Sequence, residues 1–243
     1  DRKETLVLRT HDQIWYKPFT LSEALRIRAE NPLAVVVNGS TDVALRQTKK
    51  KEFLPAILDL SGIEELQYFR DQGDHLSIGA GLSLEQLRRS TREVMPALHS
   101  LLNVFGSMQI RNLATLGGNA GSASPIGDLL PFLMAARAGI CLRSVGGERT
   151  VNMDEFITGY RQTVLKDNDL IAGVVIPKPD GQTLLFTHKV SKRRDLDIAT
   201  VSAGFRLKLR DGVVEEVILA VGGIADRPKR ARETESFLLG KAW

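Results

Sequence analysis

Apolar and polar positions along this chain switch between two periods, and the switches mark its elements. Residues 14–16 (I-W-Y), 35–37 (V-V-V) and 56–58 (A-I-L) have the continuous apolar character of buried strands. Between the first two, Thr20-Leu21-Ser22-Glu23 reads as a capping box opening an amphipathic helix, A-L-R-I-R-A-E. The pattern V-A-L-R-Q-T predicts a second helix, to about Lys50. Strands joined by helical crossovers predict a small βαβαβ unit with mainly parallel strands.

Residues 66–70 and 75–79, separated by the turn D-Q-G-D, predict a hairpin. A second capping box, Ser83 to Gln86, opens a helix to about Arg92. Residues 96–105 predict a further helix, apolar at Leu98, Leu101, Leu102 and Phe105. Strands at 140–144, 149–151 and 170–176 make this middle part a mixture of antiparallel strands and helices. The strongest boundary is Pro177-Lys178-Pro179-Asp180-Gly181, with two prolines and a turn. Beyond it, 184–190, 202–209 and 214–221 read as antiparallel strands. A helix over 233–239 follows and finds little to pack against. The class is therefore α+β, with lobes expected at residues 1–63, 64–179 and 180–243.

One stretch falls outside both periods. Residues 114–131, A-T-L-G-G-N-A-G-S-A-S-P-I-G-D-L-L-P, lie between strongly apolar segments and read as an ordered loop. Gly117, Gly118, Gly121 and Gly127 allow close backbone approach to a ligand and positive φ, and the hydroxyl side chains add donors without bulk. Asp128 stands where an acidic residue opens a helix. A backbone cradle followed by a helix start suits a phosphate or a ribityl chain. About 75 residues earlier, Asn38-Gly39-Ser40-Thr41-Asp42 forms a second small, polar turn between strand and helix. Neither turn is a Walker loop or a G-x-G-x-x-G fingerprint. Two unlike cradles predict one extended ligand clasped from two sides.

Composition narrows the chemistry. The chain has 243 residues, 43% hydrophobic and 26% charged, ordinary for a soluble globular protein. No apolar run approaches a membrane span, and the N-terminal residues show no signal-peptide apolar core. The single cysteine, Cys141, excludes an internal disulfide framework or an iron–sulfur cluster held by this sequence alone, and its usage fits a cytoplasmic protein. The net charge of +4 is scattered and not interleaved with aromatics, which argues against nucleic acid. His11, His75, His99 and His188 fall on separate elements without metal-ligand spacing. Acid–base or nucleophilic work on a substrate has little support, and a cofactor with its own reactivity suits the chain better.

The turn V-V-V-N-G-S-T-D-V, followed by F-G-S-M-Q-I-R-N-L-A-T-L-G-G-N-A-G-S-A-S-P-I-G-D-L-L-P, resembles the FAD-binding domain of the molybdenum hydroxylases, in its xanthine-dehydrogenase form. The resemblance runs from about Ile14 to Arg232. It implies a two-lobed FAD-binding fold of the p-cresol methylhydroxylase/vanillyl-alcohol oxidase type, followed by an antiparallel sheet plus helix. It also implies further C-terminal helices, so the chain is expected to be cut short.

The same resemblance implies a pyrophosphate site on the backbone of Val36, Val37, Asn38, Gly39, Ser40, Thr41, Asp42 and Val43. It places Thr115, Gly118, Asn119 and Ser122 on the pyrophosphate and ribityl portions, with Asp128 on the ribityl chain. Leu170 and Ile171 match apolar pocket residues. The catalytic assignments are Phe105, against the flavin ring, and Lys189, a cation favouring anionic reduced flavin. Phe105 as a core residue and Lys189 on a solvated strand end are the structural alternatives. Residues 191–199 match a segment bordering the flavin that affects access of NAD. Leu196 stands there where relatives often have an acid, and Arg161 matches an arginine that contacts this segment.

The resemblance implies an electron-transfer subunit carrying FAD, with NAD as acceptor and a role in purine breakdown. Iron–sulfur clusters and molybdopterin would reside on partner domains or chains, with no metal site, nucleic acid or membrane. The alternatives are a flavin-binding assembly module without turnover, and the FAD subunit of an aldehyde or carbon monoxide dehydrogenase-like relative.

Overall fold

The computed structural model describes residues 4–193 and 197–243. The chain begins with β1 (Leu6–Arg9), β2 (Ile14–Lys17), α1 (Leu21–Glu30), β3 (Val35–Val37), α2 (Ala44–Thr48) and β4 (Ala56–Asp59). The strands form one sheet in the order β1-β2-β4-β3. β4 runs parallel to both β2 and β3, as the crossovers require, while β1 joins antiparallel at the edge. No apolar face announces β1, because Leu6, Val7 and Leu8 are all exposed and pairing with β2 alone makes it a strand. Thr20 caps α1 by accepting the Glu23 N–H, and the helix buries Leu21, Ala24 and Ile27 in a cluster with Leu58, Leu60 and Ile63. Each large apolar side chain so covered contributes about 1.5–3 kcal/mol.

Next come β5 (Phe69–Asp71), β6 (His75–Gly79), α3 (Leu84–Ser90), α4 (Pro96–Asn103), α5 (Met108–Leu113), α6 (Leu116–Ser122) and α7 (Leu129–Ala135). They are followed by β7 (Gly139–Ser144), β8 (Gly147–Asn152), α8 (Met153–Phe156), the short ribbon β9 (Ile157–Gly159) and β10 (Gln162–Thr163), and β11 (Leu170–Pro177). The second sheet, β5-β6-β11-β7-β8, is antiparallel throughout. The main core lies against it and includes Leu84, Leu87, Leu98, Leu102 and Phe132. The third sheet contains β12 (Thr183–Val190), β13 (Val201–Arg210), β14 (Val213–Gly222) and β15 (Lys229–Arg230), in that order, with α9 (Arg232–Leu238) beside it.

Two expectations change. The glycine-rich stretch is not a loop, because α6 occupies Leu116–Ser122 in its middle. Glycine is a poor helix former, but Thr115 caps this helix by accepting the Gly118 N–H. Tertiary contact also requires the small residues: a Cβ on Gly117 would lie 2.6 Å from the Ala80 side chain. At the C-terminus, α9 does pack. Leu238 meets the cluster of Leu207, Val214 and Val217, and buried Glu235 accepts the Leu219 N–H at 2.8 Å.

Glu85 ties the helices of the middle part together. Its side chain is 5% exposed and pairs with Arg88, Arg89 and Arg111. The Arg88 hydrogen bonds, followed by those of Arg111, pull its carboxyl from 4.5 to about 2. A depressed carboxylate stabilises the fold above its unfolded value, and that contribution is lost as pH falls toward the folded one. The melting temperature is therefore expected to drop between pH 4.5 and about 2. Glu85→Gln should remove that part of the slope and cost roughly 3 kcal/mol at neutral pH. Thermal melts across this pH range check both.

Candidate functional site

The catalytic and cofactor-binding residues assigned from the family resemblance all line one cleft of ≈950 Å³, where the first turn, α6 and the starts and ends of three strands converge. That volume is at the upper end for small-molecule sites, about 300–1,000 Å³. Val36 and Val37 enter from β3, Asn38 to Val43 form one lip, and Thr115, Gly118, Asn119 and Ser122 enter from the cap and body of α6. Leu170 and Ile171 open β11 at the floor, and Phe105 follows α4. Lys189 reaches in from the end of β12 beside Asp128. A second cleft of ≈940 Å³, between α1 and β7, contains Cys141 but neither glycine turn.

The two cradles touch each other. A Cβ on Gly39 would sit 1.6 Å from the Leu113 carbonyl oxygen, so glycine is required where the first turn crosses the entry to α6. Positive φ plays a different part from the one expected. None of Gly117, Gly118, Gly121 or Gly127 has it; the left-handed residues of the cradles are Ser40 (φ 56) and Ala123 (φ 43).

The donors also divide differently. The first-turn N–H groups of α6 are already used: Leu116 donates to Leu82 O, Gly117 to Ala80 O and Gly118 to the Thr115 hydroxyl. The half-buried N–H groups of Asn38, Gly39, Ser40 and Thr41 meet no acceptor among the described residues. A run of unpaired main-chain donors is an anion cradle, so the charged diphosphate suits the first turn. α6 offers the Asn119 side chain, whose Oδ1 is buried without a partner. Near Gly118 an added Cβ would meet only the Thr115 hydroxyl, at 2.9 Å, which leaves its outer side open to the cleft. These unused groups fit a dinucleotide with a polyol spacer: anionic in the middle and hydroxylated beyond.

Asp128 does not cap α7 with its side chain. Instead it pairs with Lys189 at 2.7 Å, with the two side chains 8% and 4% exposed. Lys189 also donates to Val104 O at 3.1 Å. Burial pushes the Asp128 carboxyl above its ordinary value, against the lowering pull of Lys189, and its Oδ1 has no hydrogen-bond partner. Lys189 is thus neither a solvated strand end nor an isolated cation. Arg161 pairs with Asp42 at 3.0 Å, joining the β9–β10 turn to the first cradle. Leu196, with its bearing on NAD access, lies outside the described residues.

Sequence reasoning missed Arg28, a cleft-lining residue whose Nε is buried without an acceptor. It also missed Ile110 in the lining, whereas Asp197, Ile198 and Ala199, from the segment expected to border the flavin, do line the cleft. Arg28 sits on a helix otherwise read only for its apolar face, so no local signal marks it. Among the described residues no group of histidine, cysteine and carboxylates forms a metal site, and no helix is long and apolar enough to cross a membrane.

Residues 8–179 match the family model described as the FAD binding domain in molybdopterin dehydrogenase, and residues 186–243 match the CO dehydrogenase flavoprotein C-terminal domain. The chain is 35% identical over 244 residues to xanthine dehydrogenase/oxidase of Gallus gallus, covering 95% of this chain and 18% of the relative. It is 33% identical to the nicotinate hydroxylase of Emericella nidulans, covering 99% and 19%. The chain thus spans under a fifth of the length of these curated relatives. The fold superposes with a TM-score of 0.89 on a chain of carbon monoxide dehydrogenase from Hydrogenophaga pseudoflava, covering 94% of this chain and 80% of that one at 24% identity.

Proposed function

This chain belongs to the family of FAD-binding domains of molybdopterin dehydrogenases, and from that premise we propose that it is the electron-transfer part of a xanthine-dehydrogenase-like molybdenum hydroxylase. It would stand between iron–sulfur clusters on a partner domain or chain and NAD, in the cytoplasm, with molybdopterin and purine oxidation on a further partner. The observation that supports this reading most is the convergence of both cradles, Phe105 and Lys189 on one cleft in which Arg28 Nε, Asn119 Oδ1 and Asp128 Oδ1 are buried without partners. We read the fold as the p-cresol methylhydroxylase/vanillyl-alcohol oxidase type, divided near residues 63 and 179.

Bound FAD would supply hydride and single-electron chemistry. The chain's own residues would bind and orient it. The N–H groups of Asn38 to Thr41 would hold the diphosphate, and Asn119 and Ser122 the ribityl hydroxyls. Leu170 and Ile171 would exclude water, and Phe105 and Lys189 would border the ring. The single cysteine in the sequence supports placing the clusters elsewhere.

Purified under anaerobic conditions, the chain is expected to be yellow, to bleach with NADH and to recover colour with an artificial dye. Xanthine should bleach nothing. Bleaching by xanthine without partner chains would overturn the subunit assignment, and FAD-loaded protein that NADH leaves coloured would remove NAD as acceptor. The second outcome would favour a carbon monoxide dehydrogenase-like relative, a reading that the C-terminal family match also supports.

A further inference from the structure

We propose that Arg111 is a positioning residue for the flavin: by holding the carbonyls of Phe105 and Gly106 it sets how the Phe105 ring meets the cleft. The inference rests on the FAD-binding reading above. Phe105 lies on a three-residue turn, 104–106, where α4 ends and its last carbonyls lack helical partners. Cationic side chains take all three carbonyls of this turn. Lys189 Nζ donates to Val104 O at 3.1 Å, and Arg111 Nη1 donates to Phe105 O at 3.0 Å and more weakly to Gly106 O at 3.4 Å.

Each cation is itself anchored by a buried carboxylate. Asp128 holds Lys189, and Glu85 accepts from Arg111 Nε at 2.9 Å. Glu85 also holds Arg88, which donates to Asn103 Oδ1 at 3.0 Å on the last residue of α4. The turn is therefore held by two separate ion pairs. Gly106, at φ 48, lies in the left-handed region, and a Cβ added there would lie 3.3 Å from the Ile110 side chain, which leaves little slack. α5 buries none of its residues, yet the Arg111 side chain on it is only 13% exposed. Its guanidinium is spent on Glu85 and the turn, outside the cleft lining. Arg111 thus acts on the ligand through Phe105, not by contact.

The test compares Arg111→Met, Arg111→Lys, Phe105→Ala and the Met/Ala double variant in the full chain, each loaded with FAD. The readouts are the FAD release rate, the visible circular dichroism of the bound flavin and the melting temperature. R111M should release FAD about tenfold faster, equivalent to ~1.4 kcal/mol, and shift the dichroism toward the shape given by F105A. R111K, which keeps one donor for the carbonyls, should restore most of both. The double variant should release FAD no faster than F105A alone. Should R111M not fold, Glu85→Gln loosens the same anchor and should shift release and dichroism in the same direction. A variant with lowered melting temperature but wild-type release and dichroism would overturn the inference, as would effects of R111M and F105A that simply multiply. Wild-type protein that takes up no FAD fails the proposed function before any variant is compared, and removes this inference with it.

Discussion

Gly39→Ala is expected to abolish FAD binding and to destabilise the apoprotein by about 3 kcal/mol or more. The added methyl would overlap backbone, 1.6 Å from Leu113 O and 2.4 Å from Leu113 C. Backbone at the entry to α6 cannot rotate away as the tip of a side chain can, so the two cradles must separate. That widens the space between the N–H groups of the first turn and Asn119, on which a clasped ligand depends. Gly118→Val is the matched control. Its Cβ would meet only the Thr115 hydroxyl, at 2.9 Å, and its methyl groups would point into the cleft. It should lose FAD while keeping most of the apoprotein's stability. FAD titration beside thermal melts separates the two. Tight FAD binding by Gly118→Val would remove α6 from the site, and a wild-type melt for Gly39→Ala would contradict the contact between the cradles.

The second large effect is at the Asp128–Lys189 pair. Asp128→Asn removes the negative charge beside Lys189, whose side chain is 4% exposed and which otherwise donates to the Val104 carbonyl. Removing one partner of a buried pair costs about 3–5 kcal/mol. Bound FAD should partly offset this, because reduced anionic flavin would then meet an uncompensated cation and its midpoint potential should rise. Lys189→Ala behaves differently. The Asp128 carboxyl is already pushed upward by burial and held back by Lys189, so loss of the lysine raises it further. A carboxyl raised in the folded state favours folding most below its unfolded value, and this support is lost as pH rises through the folded one. Lys189→Ala should therefore be closer to wild type at pH 5 than at pH 8. A proton on Asp128 would also keep the site near its original net charge, so its flavin potential should move less than that of Asp128→Asn. Redox titration and melts at the two pH values test this. A larger potential shift in Lys189→Ala than in Asp128→Asn would restore Lys189 as an independent cation.

Much of the frame was legible along the chain, because local rules decide it. The Val35–Val37 strand, the cap at Ser83 and the hairpin around Gly73 depend on side-chain period, N-cap chemistry and turn residues within a few positions of each other. The two glycine turns were also visible, since their composition is unusual wherever it occurs. Tertiary structure decided what those turns are. The low helix propensity of L-G-G-N-A-G-S reads as loop, and only contact with Ala80 and the Thr115 cap makes it α6. Local sequence likewise assigns Asp128 to a helix start and Lys189 to an open strand end. Their pairing across 61 residues depends on how β12 passes α7, and burial of both side chains there turns two separate charges into one coupled unit. Arg111 shows the same limit. Its neighbours in sequence give it no task, and its work on the Phe105 carbonyl exists only because Glu85, 26 residues earlier, is folded against it. Local propensity acts over one turn of chain, whereas charge and close packing act over distances that only the closed fold defines.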